Sequence, residues 1–235
     1  MKIEANEMAA IKNTGNIGKQ LLENGKINAS QAETILLMQK ESNMRFGEAA
    51  IKLGFITEKD IQDVLSNQFA YPYLVLGRSQ VDTKVVAAYH PFDMRVEAIR
   101  SLRSQIMLRL VEGGHKSIAL TSFDAGKATD LLAANLAVVF SQLGERTLLV
   151  DANLRAPFQH QLFGLDNRNG LSDILAGRSD LSVIHKVTEF RDLSVLSAGT
   201  LAPNPQELLS RDQFSDLVKR LANEYDIVIY NTTPL

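Results

Sequence analysis

SIALTSFDAGKATDLLAANLAVVFSQLGERTLLVDANLR, residues 117–155, decides the fold of the longer part of this chain. Ser117-Ile-Ala-Leu-Thr-Ser122 is a short apolar, β-prone run, and Thr147-Leu-Leu-Val-Asp151 has the pattern of a strand buried on both faces. A helical stretch from about Asp130 to Leu143 separates them. Downstream, Leu193-Ser-Val-Leu-Ser197 and Asp226-Ile-Val-Ile-Tyr230 repeat the strand pattern, with helical segments between. Strands alternating with helices predict an α/β fold with a parallel, doubly wound sheet whose ligands sit at the strand C-termini. The loop joining the first strand to its helix is where a phosphate-binding loop would lie, which makes the fold P-loop-type.

Working upstream, Pro91 precedes a helical stretch from Met94 to Leu110. Glu97, Arg100 and Arg103 follow one another at intervals of three and share one side of it, while Val96, Ile99, Leu102, Ile106 and Leu110 supply an apolar stripe. Taken alone this is an amphipathic helix with a solvated charged face. Gly77 to Thr83 reads as a connector, and Tyr71-Pro-Tyr-Leu74 closes whatever precedes it.

What precedes it is a duplication. Residues 16–39, NIGKQLLENGKINASQAETILLMQ, align without a gap on residues 45–68, RFGEAAIKLGFITEKDIQDVLSNQ, at a period of 29. Gly18 matches Gly47, Gly25 matches Gly54, Ile27 matches Ile56, Leu36 matches Leu65 and Gln39 matches Gln68. Each copy reads as a short helix, a glycine stop, a turn and a second helix. Gly25 and Gly54 fall where a helix terminator needs positive φ. Asn28 with Gln31, and Thr57 with Asp60, have the spacing of reciprocal helix caps. Units this small cannot bury an apolar face alone, so the copies are expected to pack on each other. The chain thus divides into a tail (1–13), a duplicated helical module (14–75), a linker (76–90) and an α/β domain (91–235).

Bulk composition narrows the function. The chain has 235 residues, 45% hydrophobic and 22% charged, as in a soluble globular protein. A net charge of −2 argues against a partner that is a nucleic-acid polymer. No cysteine is present, which excludes disulfides and thiolate metal sites and fits a reducing cytoplasm. His90, His115, His160 and His185 lack metal-ligand spacing. No segment reaches about 18 unbroken apolar residues, since Asn135 interrupts the richest run. Met1 to Asn13 lacks the apolar core of a signal peptide. Membrane association is expected only through a partner.

The order PF…EAIRSLRSQI, TSFDAGKATDLLAANLAVVFSQLGERTLLVDANLRAP, LSAGTLAPNPQELLS and YDIVIYNTTP resembles the bacterial tyrosine kinases that set exopolysaccharide chain length, over about residues 90–235. The resemblance implies a homo-oligomer, in which Glu97, Arg100 and Arg103 fall on the ExxRxxR element that packs subunits into a ring. It also implies a membrane polysaccharide co-polymerase or export partner, and a cytoplasmic location at the inner-membrane face through that partner. Active members use ATP and magnesium. Placing Ala133-Ala-Asn-Leu-Ala137 on the family's AANLA sets Gly126-Lys-Ala-Thr-Asp-Leu131 on its GEGKST. Thr129 then holds the lysine position, Ala128 the glycine before it, and Asp130 the magnesium-binding serine or threonine. The visible Gly126-Lys127 pair stands two residues too early. Asn153 replaces a carboxylate of DxDxR, and Asn231 replaces the aspartate of hhhhDTPP; Asp151 and Arg155 remain, Asp151 as the candidate magnesium ligand. An amide is a poor substitute for a carboxylate on a hard cation, so catalysis with ATP and magnesium is not expected, while binding of ATP or magnesium stays open.

The repeated module resembles the N-terminal domain of type II secretion and type IV pilus assembly ATPases, RLGxxLVxxGxLxxxxLxxxLxxQ written twice. One branch of that family grips cyclic di-GMP through the opening arginine and nearby glycine. Here the second copy keeps Arg45 and Gly47, whereas the first has Asn16 in the arginine position. Two readings stand: a docking module, or a cyclic di-GMP sensor. The chain stops at Leu235, before the further sheet elements and tyrosine-rich tail of active members, so the sheet is expected to be incomplete at an edge. The expected function is a non-catalytic family member that assists polysaccharide export by assembly. The alternatives are a weak ATP-dependent autokinase using Asp151, Asp130 and a repositioned Lys127, and a cyclic di-GMP-responsive regulator.

Overall fold

Helix punctuation builds the first part of the chain. In the computed structural model, which describes residues 15–61, 64, 73–124 and 126–234, α1 spans Gly15–Glu23, α2 Ala29–Ser42 and α3 Phe46–Lys52. Gly25 and Gly54 follow α1 and α3 with φ of 66° and 71°, the left-handed backbone predicted for them. Asn28 and Gln31 cap α2 reciprocally, each side chain accepting the other's backbone N–H at 2.9 Å. Thr57 and Asp60 repeat the device, at 2.9 and 3.3 Å. The copies share one core: Leu21, Ile27 and Ile35 are buried with Ala50, Ile56 and Val64, which stand 29 positions later. Lys26 Nζ donates to Asp60 Oδ1 at 2.6 Å and ties the first copy to the second. The readings of the 1–13 tail, of Leu65 and Gln68, and of Tyr71-Pro72 lie outside the described residues.

The chain divides into two compact units, Met1–Tyr71 and Pro72–Leu235. The second unit begins with α4, Val86–Tyr89, and α5, Met94–Ile106, which runs into a π-helical turn at Met107–Val111. Then follow β1 (Ser117–Leu120), α6 (Ala128–Ser141), β2 (Thr147–Asp151), α7 (Gln159–Leu162), α8 (Leu171–Leu175), β3 (His185–Lys186), β4 (Leu193–Leu196), α9 (Pro205–Leu209), α10 (Asp212–Glu224) and β5 (Ile227–Asn231). The strands form one sheet in the order β1-β5-β2-β4-β3. β1, β5, β2 and β4 run parallel; β3 is a two-residue antiparallel addition on β4, absent from the sequence expectation. β1 lies at the sheet edge, and among the described residues no strand pairs with its outer side.

Both faces of the sheet are covered, as in a doubly wound fold. One core gathers Phe140, Leu136 and Val139 of α6 with Leu149, Val195 and Ile229. The other gathers Leu171 and Leu175 of α8, Leu217 and Leu221 of α10, and Leu148, Leu196 and Val228. Because alternate residues of β2, β4 and β5 feed opposite cores, these strands are apolar on both sides.

Two readings change here. The segment 76–90 was expected to link domains, yet Val81, Val85, Ala87, Ala88 and Tyr89 belong to the first of these cores. Ala87 N donates to Asn135 Oδ1 at 2.8 Å, and Gln142 Nε2 donates to Ala87 O at 3.1 Å, so α6 grips α4 through its backbone. Gly77 and Pro91 bracket a packed segment. The charged side of α5 is likewise solvated only at Glu97. Arg100 and Arg103 are each 8% exposed, and Arg103 Nη1 donates to Val139 O of α6 at 2.8 Å. Among the described residues no helix is long and apolar enough to cross a membrane.

Candidate functional site

Strand order brings three motif residues together. With β5 lying between β1 and β2, Asn231 at the end of β5 pairs in register with Asp151 at the end of β2. Asp130, in the first turn of α6 after β1, completes the group. Asn231 Nδ2 donates to Asp130 Oδ1 at 2.7 Å and to Asp151 Oδ1 at 3.3 Å. All three are buried: 4% exposed for Asp130 and 0% for the other two.

The carboxylate of Asp151 is saturated from within the chain. Its Oδ2 accepts Phe158 N and Gln159 N, both at 2.9 Å, and its Oδ1 accepts Asn153 N at 3.3 Å besides the Asn231 amide. Burial without a pairing cation pushes its pKa up to about 6, against the pull of these hydrogen bonds. In this geometry Asp151 anchors the 151–159 loop, and its lone pairs are spent on N–H donors rather than left open to a metal. Asn153 serves the same loop, its Oδ1 accepting Ala156 N at 3.1 Å. Gln159 Nε2 closes the network on Asp130 O at 3.0 Å.

Lys127 and Asp130 meet, although the register argument puts the family's lysine at Thr129. Lys127 Nζ lies 3.3 Å from Asp130 Oδ2, 3.4 Å from Ala156 O and 4.4 Å from the centroid of the Phe158 ring. Earlier in the same loop, Asp124 Oδ1 accepts Gly126 N at 3.0 Å, taking a backbone donor of the kind that phosphate loops offer to a ligand. Thr129 and the exposed Arg155 line the surrounding cleft of about 500 Å³, with Gly126, Lys127, Asp130, Asn153 and Leu209. The residues present therefore do not fit magnesium-ATP: acceptors and donors that would hold it are engaged with one another.

The other predicted positions have contacts of their own. Glu97 is exposed and pairs with Arg100 at 3.2 Å, whereas Arg103 is committed to α6. In the helical unit, Arg45 is exposed and opens α3. Gly47 is buried, and a Cβ there would come within 2.6 Å of Ile61 Cδ1, so its smallness serves helix packing. Sequence reasoning missed Asp124 and Gln159, and also Asp173. The last accepts Gly170 N at 3.1 Å and Thr200 N at 3.0 Å and pairs with Arg178 at 2.8 Å, clamping the loop that follows β4. Only the three-dimensional proximity of α8 to that loop reveals it.

No protein-family model matches the chain. Over 157 residues it is 36% identical to the tyrosine-protein kinase YwqD of Bacillus subtilis (strain 168), covering 67% of this chain and 66% of that protein. Over 153 residues it is 34% identical to the tyrosine-protein kinase Wzc of Salmonella typhi, covering 65% of this chain and 21% of that protein. The chain thus spans about a fifth of the length of the Salmonella relative. Among solved structures, the chimerical protein CapA2B2 superposes with a TM-score of 0.61 at 36% identity, over 76% of each chain.

Proposed function

Because this chain belongs to the bacterial tyrosine-protein kinase family, we propose that it is a member without phosphotransfer activity, which assists exopolysaccharide polymerisation or export by assembling with other components. The observation that carries this reading is the closed network at the would-be catalytic centre. Asp130, Asp151 and Asn231 satisfy one another and their own loops. Phosphoryl transfer needs a cation clamp on the phosphates and a lysine among them. Here a single lysine is turned onto a carboxylate, and two of the family's acidic positions are amides, Asn153 and Asn231.

Assembly would use α5. Of its three motif residues Glu97 is the one at the surface; Met94 and Leu102 of the same helix and Leu108 of the π-helical turn are 86%, 37% and 61% exposed. The partner would be a membrane polysaccharide co-polymerase or export protein, which would hold this chain at the cytoplasmic face of the inner membrane. Incubation of purified protein with radiolabelled ATP and magnesium tests the reading, and no phosphotyrosine is expected. Label that appears and then disappears in Asp151→Ala would overturn it, in favour of an autokinase using Asp151, Asp130 and Lys127.

A further inference from the structure

The cluster at the end of β5 satisfies its carboxylates but leaves two buried amide oxygens without donors. Two buried carboxylates, Asp130 and Asp151, face one neutral amide. The amide's own Oδ1 and the Oε1 of Gln159 are buried without a hydrogen-bond partner. Turning the Asn231 amide over would set Oδ1 against both carboxylates, so the orphan oxygen is a property of the site. Among the described residues, the cation paired with this cluster is Lys127, on Asp130 Oδ2. Its ammonium sits over the Phe158 ring and is steadied by Ala156 O.

We infer that Lys127 is a built-in counter-ion, whose ammonium covers the outer face of Asp130 and keeps hydrated divalent cations out of the cleft. The inference deepens the non-catalytic reading of the same site by stating what closes it. A carboxylate that is 4% exposed is stabilised in its charged form by a compensating cation. The two oxygens at the ammonium, Asp130 Oδ2 and Ala156 O, are donors of the kind a hard divalent ion takes once the ammonium is gone. The lysine side chain is 46% exposed and can be withdrawn without opening a core. Lys127 thus stands on the carboxylate where a metal would stand, as Asp124 stands on Gly126 N where an anion would.

The test uses magnesium or manganese alone, with no nucleotide, on the full chain. Wild type should show no change in unfolding temperature at millimolar metal, and no bound manganese by electron paramagnetic resonance. Lys127→Gln should gain a bound-manganese signal and a rise of about 3 °C at tenfold excess over the dissociation constant. Lys127→Arg, which keeps the charge, should stay silent, and so should the double variant Lys127→Gln/Asp130→Asn. If Lys127→Gln fails to fold in metal-free buffer, folding on addition of manganese is expected, and failure with metal present counts against the inference. Wild type binding manganese as tightly as Lys127→Gln, or a Lys127→Gln that folds and binds none, would overturn it. Phosphotyrosine in the wild type would remove the non-catalytic reading while leaving the metal response of the two proteins unchanged, so the two failures are separable.

Discussion

At the scale of single residues, Asp130 and Asn231 are one change rather than two. The family resemblance puts a hydroxyl at the first position and a carboxylate at the second; this chain has a carboxylate and an amide, 2.7 Å apart. Each arrangement sets one donor against one acceptor, with the direction reversed. Restoring half of the family pair should therefore be worse than restoring both. Asn231→Asp alone places a third carboxylate in a buried site and should cost on the order of 3 kcal/mol at mildly alkaline pH without divalent metal. Adding Asp130→Ser should recover much of that loss, with a coupling of about 2 kcal/mol in a urea-denaturation cycle. Additive effects would mean that the two positions do not answer each other. The sequence alone could list the substitutions but not pair them, because Asp130 and Asn231 are 101 residues apart and meet only through the strand order.

At the scale of elements, α5 separates a structural role from an assembly role. Arg103 belongs to the packing of this unit: its guanidinium caps a carbonyl in the last turns of α6 and is shielded from water. Arg103→Met should cost about 1–3 kcal/mol of stability, independent of protein concentration, by leaving a buried carbonyl without its donor. Glu97→Ala, at a side chain 68% exposed, should change stability by no more than about 0.5 kcal/mol. Urea denaturation at several dilutions, with sedimentation velocity alongside, distinguishes the two. If Arg103→Met left stability intact and altered only self-association, the arginine would be an interface residue. The same elements show how far the sequence could be read. β2 and β5 are legible because strands buried on both faces are continuous apolar runs. β3 is not, because His185-Lys186 carries no periodicity and pairs only through the turn that brings Val187 N within 3.0 Å of Leu193 O. The packing of residues 81–89 had a signal in its valines and alanines, but the flanking Gly77 and Pro91 outweighed it.

At the scale of the whole molecule, two units with separate cores make separate cooperative unfolding events the expectation. One carboxylate in each responds to acid with the opposite sign. In the helical unit, the Lys26 ammonium beside Asp60 and the Thr57 cap hold the Asp60 pKa down at about 2. That contribution is fully present above the unfolded value of 3.8 and fades only as pH falls from there toward 2. In the α/β unit, burial lifts Asp151 from 3.8 to about 6. The folded state binds this proton more tightly than the unfolded one, so stability rises as pH falls from about 6 toward 4, by at most roughly 3 kcal/mol. His160 opposes it, since burial lowers the imidazole's pKa and penalises its charging. Because that opposition is common to wild type and Asp151→Asn, the difference between the two proteins isolates the aspartate. Scanning calorimetry at about pH 7 and about pH 4.5 should show the α/β transition of wild type gaining on that of Asp151→Asn in acid, with the helical transition unmoved. A constant gap between the two proteins, or a shift confined to the helical transition, would mean that the N–H donors around Asp151 already compensate its burial in the folded state.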